Sequence, residues 1–200
     1  VSLEAYEIAT GKLIVFDKEA CQFGYRESVF KRALKGKYII TSVTFQLHKK
    51  PVIKTSYGAI QSELEKMGVT TPTIKDVSDA VIAIRRSKLP DPKELGNAGS
   101  FFKNPVVARE VLAQIEKQNT EVPHYPIDDN HVKIPAGWLI EKAGWKGKRF
   151  DNYGVHQYQA LVLVNYGGAK GEEILNLSEK IIQDILQKFQ IQLEREVNIL

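Results

Sequence analysis

The stretch from Thr73 to Pro105 constrains this chain most. Ile74, Val77, Val81 and Ile84 recur at helical spacing, and Thr73 with Asp76 has the form of a capping box, so the pattern predicts a helix over Thr73–Lys88. Leu89-Pro90-Asp91-Pro92 must end it, because proline lacks the amide proton and restricts the residue before it. The same proline pair is the best place for a domain boundary. It is followed by GNAGSFFKNP, Gly96 to Pro105, where small residues deliver Ser100 through what reads as a flexible approach. Pro105 suits a first helical position and Asn104 suits its cap. With Val107, Val111, Leu112 and Ile115 forming a stripe, a second helix is expected to start at Pro105.

On either side the pattern alternates loosely. LEAYEIA (3–9) and KLIVF (12–16) flank Thr10-Gly11 as a hairpin, and Lys37–Leu47 is rich in β-branched and aromatic residues. An irregular CQFGYRESVFKRA segment lies between them, running into a short helical piece. Tyr57-Gly58 leads into a short helix that ends at Gly68. Past a loop at EVPHYPIDDNHVK come a short helix at Ala136–Ala143, a polar segment, a buried strand at Ala160–Asn165 and the break Gly167-Gly168. The longest helix is expected from about Gly171 to Gln190, and QLEREVNIL closes the chain as a strand. Helices and strands do not alternate regularly, so the fold class is α+β rather than a doubly wound parallel sheet.

The chain has 200 residues, 43% of them hydrophobic, which is enough for a sizeable core. No run of about 18 apolar residues occurs, and the N-terminus has neither a basic nor an apolar leader region, so no membrane span or signal peptide is expected. A single Cys21 excludes an internal disulfide and fits a reducing, cytoplasmic setting. Both ends look cut, since the chain opens on Val inside a strand pattern and stops while an alternating pattern is still running. The net charge of +4 is spread among acidic residues instead of forming a stripe, so no nucleic-acid partner is expected. Nothing in the composition sets an oligomeric state.

Read from the residues alone, the candidate sites have ordinary alternatives. Ser100 lacks the glycine two positions on that a hydrolase elbow needs, because Phe101 and Phe102 follow it. It is either a turn serine or a group set beside amides that collect anions. Asn104 is explained by capping. Arg85, Arg86 and Lys88 fall in the last turn of a helix, where cations complement the dipole whether or not they meet a phosphate. The four histidines form no i, i+4 pair, so a zinc site is not expected. Asp128-Asp129-Asn130 reads as a turn, and Glu194 and Glu196 alternate as on a half-buried strand.

Four ordered segments carry a resemblance: KLPDPKELGNAGSFFKNP (Lys88 to Pro105), CQFGYRESVFK (Cys21 to Lys31), AGWLIEKAGWKG followed by GVHQYQALVLVN, and LEREV near the end. Together they resemble the UDP-N-acetylenolpyruvoylglucosamine reductases, flavoenzymes of peptidoglycan synthesis, in the type I branch that carries the tyrosine-bearing loop. The resemblance implies a C-terminal fragment: 1–88 as the later part of the second FAD-binding domain, 89–190 as an α+β substrate-binding domain, and 191–200 as a return strand toward the first FAD-binding domain. The glycine-rich segment that grips the flavin diphosphate would lie outside the chain, so no cofactor-binding residue is assigned.

In that family NADPH reduces FAD, and the reduced flavin passes hydride to UDP-N-acetylglucosamine enolpyruvate. Ser100 matches the proton donor, and Glu196 matches the glutamate that stabilises charge developing on the substrate carboxylate. Tyr25, Lys88, Asn104, Tyr125, Lys146 and Gln159 match residues that contact the UDP-sugar, and Arg85 is a further candidate. Asn198 departs from an arginine found in some members. His156 begins a shared motif and takes no role. The resemblance implies an enzyme that is inactive as this fragment; the alternative is a UDP-sugar-binding module without chemistry.

Overall fold

The computed structural model describes residues 2–56 and 59–199 and divides into two compact units, 1–52 and 53–200. The sequence-based boundary after residue 88 falls inside the second unit.

In the first unit β1 (Ser2–Glu7) pairs antiparallel with both β2 (Leu13–Asp17) and β3 (Tyr38–Thr44). The β1–β2 hairpin turns where expected. Gly11 takes φ +66°, a conformation open to glycine at little cost, and its amide donates to the Glu7 carbonyl at 2.8 Å. Leu3, Ala5 and Cys21 are buried under three rings, Phe16, Phe30 and Tyr38, which meet edge to face. The pattern did not show α1 (Lys18–Cys21), a single turn capped by the Asp17 carboxylate on the Ala20 amide.

The second unit begins with a helix pair, α2 (Ile60–Lys66) and α3 (Ile74–Lys88), which bury Ile60, Leu64 and Ala80 between them. The capping box forms as expected: the Thr73 hydroxyl accepts from the Asp76 amide and the Asp76 carboxylate accepts from the Thr73 amide. The Tyr57-Gly58 step before α2 lies outside the described residues.

Three sequence expectations are corrected here. Gly96–Ser100 is not a flexible approach but a strand, β4, at the edge of an antiparallel sheet ordered β4, β10 (Val162–Asn165), β9 (Tyr153–Val155), β8 (Arg149–Phe150). Small residues hid it, since the pairing rests on backbone groups and not on β-prone side chains. No helix starts at Pro105. Val106–Ala108 forms β5, whose two β-branched valines pair with β7 (His131–Lys133), and β6 (Tyr125–Pro126) adds to the other side of β7. The helix, α4, starts only at Arg109 and ends at Glu116. QLEREVNI (192–199), the described part of the closing segment, is not a regular strand either. It crosses residues 101–103 and makes one bridge, Phe102 with Arg195, before bending away.

The core lies between the β4 sheet, α5 (Ala136–Lys142) and α6 (Gly171–Phe189), with Leu139, Ile140, Val155, Leu177, Ile181 and Ile185 at its centre. Inside the expected polar segment, Gly154 permits the tight β8–β9 return: a Cβ there would stand 2.3 Å from the Lys148 carbonyl oxygen. No helix among the described residues is long and apolar enough to cross a membrane.

Candidate active site

Ser100 ends β4 at a β-bulge. Val162 pairs with Ser100 and Val164 with Asn97, so β4 spends one extra residue against β10. Gly99 supplies the bulge conformation with φ +71°. Asn97 braces it, accepting from the Gly99 amide at 3.0 Å and donating to the Leu95 carbonyl at 2.8 Å. Asn97 was not singled out in the sequence, and its Asx pattern two residues before a glycine is the signal that marks it. The bulge leaves Ser100 exposed while Phe101 and Phe102, 3% and 1% exposed, drop into the core.

Three strands of chain converge at this point. The Phe101 amide donates to the Leu161 carbonyl at 2.8 Å, which ties Ser100 to the loop between β9 and β10. The Phe101 carbonyl accepts from the Glu196 amide at 2.9 Å. Ser100 and a half-buried Glu196 therefore sit on adjoining backbones, although 96 residues apart in sequence.

Asn104 does not cap the helix beside it. Its Oδ1 accepts from the Ala136 amide at 2.9 Å, satisfying the first turn of α5 from 32 residues away. Gln159 reaches the same turn, because a Cβ on Gly137 would stand 3.6 Å from its Oε1 and 3.4 Å from Leu161 Cγ. Lys146 follows α5 and pairs with Glu141 at 2.8 Å, and Gly147 beside it lies against Gln157. Tyr125 is exposed on β6, with the Lys133 ammonium 5.9 Å from its ring centroid. Lys133 is a cation the sequence reading passed over; its place opposite both Tyr125 and Val106 is set by strand register.

Arg85 lines an open cavity of about 600 Å³ together with Arg86, Pro90, and Asn97 and Gly99 of the bulge. Lys88, exposed at the end of α3, does not line that cavity. Tyr25 belongs to the first unit, exposed in a turn bridged by Gly24 and Glu27, with the Arg26 guanidinium 5.8 Å from its ring. Asn198 is exposed in the tail.

His156 opens the β9–β10 loop. It is buried, its ring meets Tyr158 edge to face, and Nδ1 has no hydrogen-bond partner. Burial holds its pKa below the ordinary imidazole value. Above that ordinary value, about 6.5, the ring is neutral folded or unfolded and pH changes nothing. As pH falls through 6.5 the unfolded chain takes up a proton that the folded ring resists, so stability is lost on the acid side. Urea midpoints of the chain and of His156→Gln, compared at pH 7.5, 6.5 and 5.5, should diverge with the His156 chain falling faster; parallel curves would contradict the assignment.

At the far end of α5, burial pushes the Asp184 carboxyl up, but the Lys188 ammonium and the Trp145 indole, at 2.8 and 2.7 Å, more than offset this and leave it lowered. That network fixes the turn from which Lys146 projects.

Fold and site together define a class of protein: an α+β domain that presents an exposed serine from a bulged strand, with the C-terminal tail hydrogen-bonded to the residue that follows it. The family described as UDP-N-acetylenolpyruvoylglucosamine reductase, C-terminal domain, matches residues 91–200, and the chain belongs to that family. A UDP-N-acetylenolpyruvoylglucosamine reductase of Flavobacterium johnsoniae is 54% identical over 201 residues, covering 100% of this chain and 60% of the relative. The protein of the same name from Amoebophilus asiaticus is 49% identical over 199 residues, covering 100% and 59%. The chain thus spans about three fifths of the length of these curated relatives. Among solved structures, the UDP-N-acetylenolpyruvylglucosamine reductase of Thermus caldophilus superposes with a TM-score of 0.56 at 21% identity, over 98% of this chain and 51% of that one, which supports the fold.

Proposed function

We propose that this chain is the C-terminal portion of an FAD- and NADPH-dependent oxidoreductase that reduces UDP-N-acetylglucosamine enolpyruvate to UDP-N-acetylmuramate, a peptidoglycan precursor. The observation that supports the reading is the Glu196–Phe101 backbone hydrogen bond, which brings the tail that carries Glu196 alongside the residue that follows the serine matched to the family's proton donor. The chemistry supplied with bound FAD, reduced by NADPH, is hydride delivery to one carbon of the enol-ether double bond.

The exposed hydroxyl at the bulge suits the complementary task. Ser100 gives its proton to the other carbon, and solvent returns one to the serine oxygen. A hydroxyl is a weak acid, but the carbon centre left by hydride addition is strongly basic, so no histidine partner is needed. Glu196 acts on the charge that develops at the substrate carboxylate. Holding FAD is assigned to the portion of the relatives that this chain does not span, and 1–88, 89–190 and 191–200 take the domain roles implied by the resemblance.

Around that centre the residues suit a nucleoside diphosphate-sugar. Asn104 has committed its oxygen to α5, which leaves two amide protons as donors. Lys146 and Arg85 offer cations to phosphate oxygens, Tyr125 a phenol, Gln159 an amide and Lys88 an ammonium; for Tyr25, in the first unit, a contact with the same ligand rests on the resemblance alone.

The test is NADPH oxidation by the full-length protein, made dependent on UDP-N-acetylglucosamine enolpyruvate, with the muramate product identified by mass. A full-length protein without flavin absorbance, or one that leaves the enolpyruvate untouched, would refute the proposal. The 200-residue chain alone is expected to be colourless and inactive. A second reading, a UDP-sugar-binding module, is favoured by the presence of Asn104, Tyr125, Lys146 and Gln159 within one compact unit. Calorimetric titration of the isolated chain with the UDP-sugar separates the two.

A further inference from the structure

The tail that carries Glu196 is held by more than its apolar residues. Ile191 and Leu193 are each 2% exposed and enter the core. The next three residues cross 101–103 in antiparallel fashion: the Lys103 amide donates to the Glu194 carbonyl at 2.9 Å, Phe102 bridges Arg195, and the Glu196 amide donates to the Phe101 carbonyl. A crossing of a single bridge is a weak determinant of register, since a shift of one residue would replace Glu196 by a neighbour and turn every side chain to the other face.

Side chains supply what the short ladder lacks. Glu194 takes the Lys103 ammonium at 2.7 Å. Arg195 turns toward α6, where its Nε donates to Ser178 Oγ at 2.8 Å and its terminal nitrogen pairs with Glu179. Ser178 is fully buried on an apolar stretch of α6 among Leu177, Ile181 and Ile182, and its own proton goes to the Leu175 carbonyl at 2.6 Å. A serine hydroxyl that has already donated can still accept, so Arg195 meets a fixed acceptor inside the helix packing. The guanidinium makes a fork to two residues one position apart on α6, and that fork cannot be satisfied if the tail slips.

We propose that Arg195, docked on Ser178 and Glu179, is a positioning residue that fixes the register of the tail and thereby holds Glu196 opposite Phe101, the residue next to Ser100. The proposal rests on the reading of Ser100 and Glu196 given above. It assigns to Ser178, otherwise an odd polar residue in an apolar core, the part of a buried anchor.

The experiment has a structural arm and a kinetic arm. In the 200-residue chain, amide exchange at Glu196 should quicken in Arg195→Gln and be restored only in part in Arg195→Lys, whose single ammonium cannot make the fork, while amides in the middle of α6 stay protected; unaltered exchange at Glu196 in Arg195→Gln overturns the anchor. In the full-length protein, Arg195→Gln should lower kcat for enolpyruvate reduction by about 10- to 100-fold, the scale of a misplaced group. The KM for the UDP-sugar should hold within about threefold, and flavin reduction by NADPH should keep its rate. The Arg195→Gln, Glu196→Gln double variant should be no slower than Glu196→Gln alone, because residues acting through one another are not additive. Additive losses would show that Arg195 acts elsewhere. Full activity of Glu196→Gln would instead remove the catalytic reading of Glu196, a failure distinct from unaltered exchange.

Discussion

Ser100→Ala in the full-length protein should reduce enolpyruvate turnover by about 10²- to 10⁴-fold, the range expected when a general acid is lost, and leave reduction of the flavin by NADPH at its normal rate. The split follows from where the side chain sits. Ser100 is exposed at the end of β4, and the hydroxyl holds up no part of the fold: the bulge is made by Gly99 and braced by Asn97, and the next residue's backbone carries the bonds to Leu161 and Glu196. Removing one oxygen therefore takes away the proton and little else. Stopped-flow absorbance of the two half-reactions decides the matter, and equal losses in both would take Ser100 out of the proton-donor role. Ser100→Cys puts a more acidic thiol proton in nearly the same place, and partial recovery there would separate proton supply from shape.

Phe102→Ala is expected to cost about 3–5 kcal/mol of stability, the range for deleting a buried aromatic ring. Phe102 is 1% exposed, lies against Phe101 with ring centroids 5.4 Å apart, and shares its backbone bridge with Arg195. The cavity would open beneath the crossing of the tail over 101–103, so the same change should loosen Glu196. Urea unfolding should show a lower midpoint with little change in slope. Phe102→Leu, which keeps most of the apolar volume, should lose distinctly less. If both variants unfold at the midpoint of the unaltered chain, the core has been assigned to the wrong residues.

The helices with strong local signals were legible in advance. Thr73 to Lys88 could be read end to end because its apolar spacing, its capping box and its proline stop all act within one or two turns. The β1–β2 hairpin was legible for a similar reason, since Gly11 relieves a strain that belongs to the turn itself. Misreadings fell where the partner is remote. Gly96–Ser100 carries little β propensity and becomes a strand only because β10 lies alongside. Val106–Ala108 looked like the start of a helix because Asn104-Pro105 is a good helix opening, but the oxygen of Asn104 is drawn to Ala136 and the valines to β7. Strands β8 and β9, each of two or three residues around the Gly154 return, are too short to leave a periodicity.

The site divides along the same line. Motif resemblance pointed to Ser100, Glu196, Asn104, Tyr125, Lys146 and Gln159 without any geometry. What it lacked were the supporting residues: Asn97 under the bulge, Lys133 beside Tyr125, and Ser178 and Glu179 beneath Arg195.

By itself, then, the sequence determined four of the helices (α2, α3, α5 and α6), the β1–β2 hairpin, the α+β class and the family, because capping and turn strain are carried by residues close together and motif order is written along the chain. Only the tertiary structure decided that Ser100 would stand exposed at a bulge with the tail that carries Glu196 bonded to the residue after it. That arrangement depends on backbone hydrogen bonds from 101 to 161 and to 196, and such bonds leave no mark on the side chains that sequence reading can use.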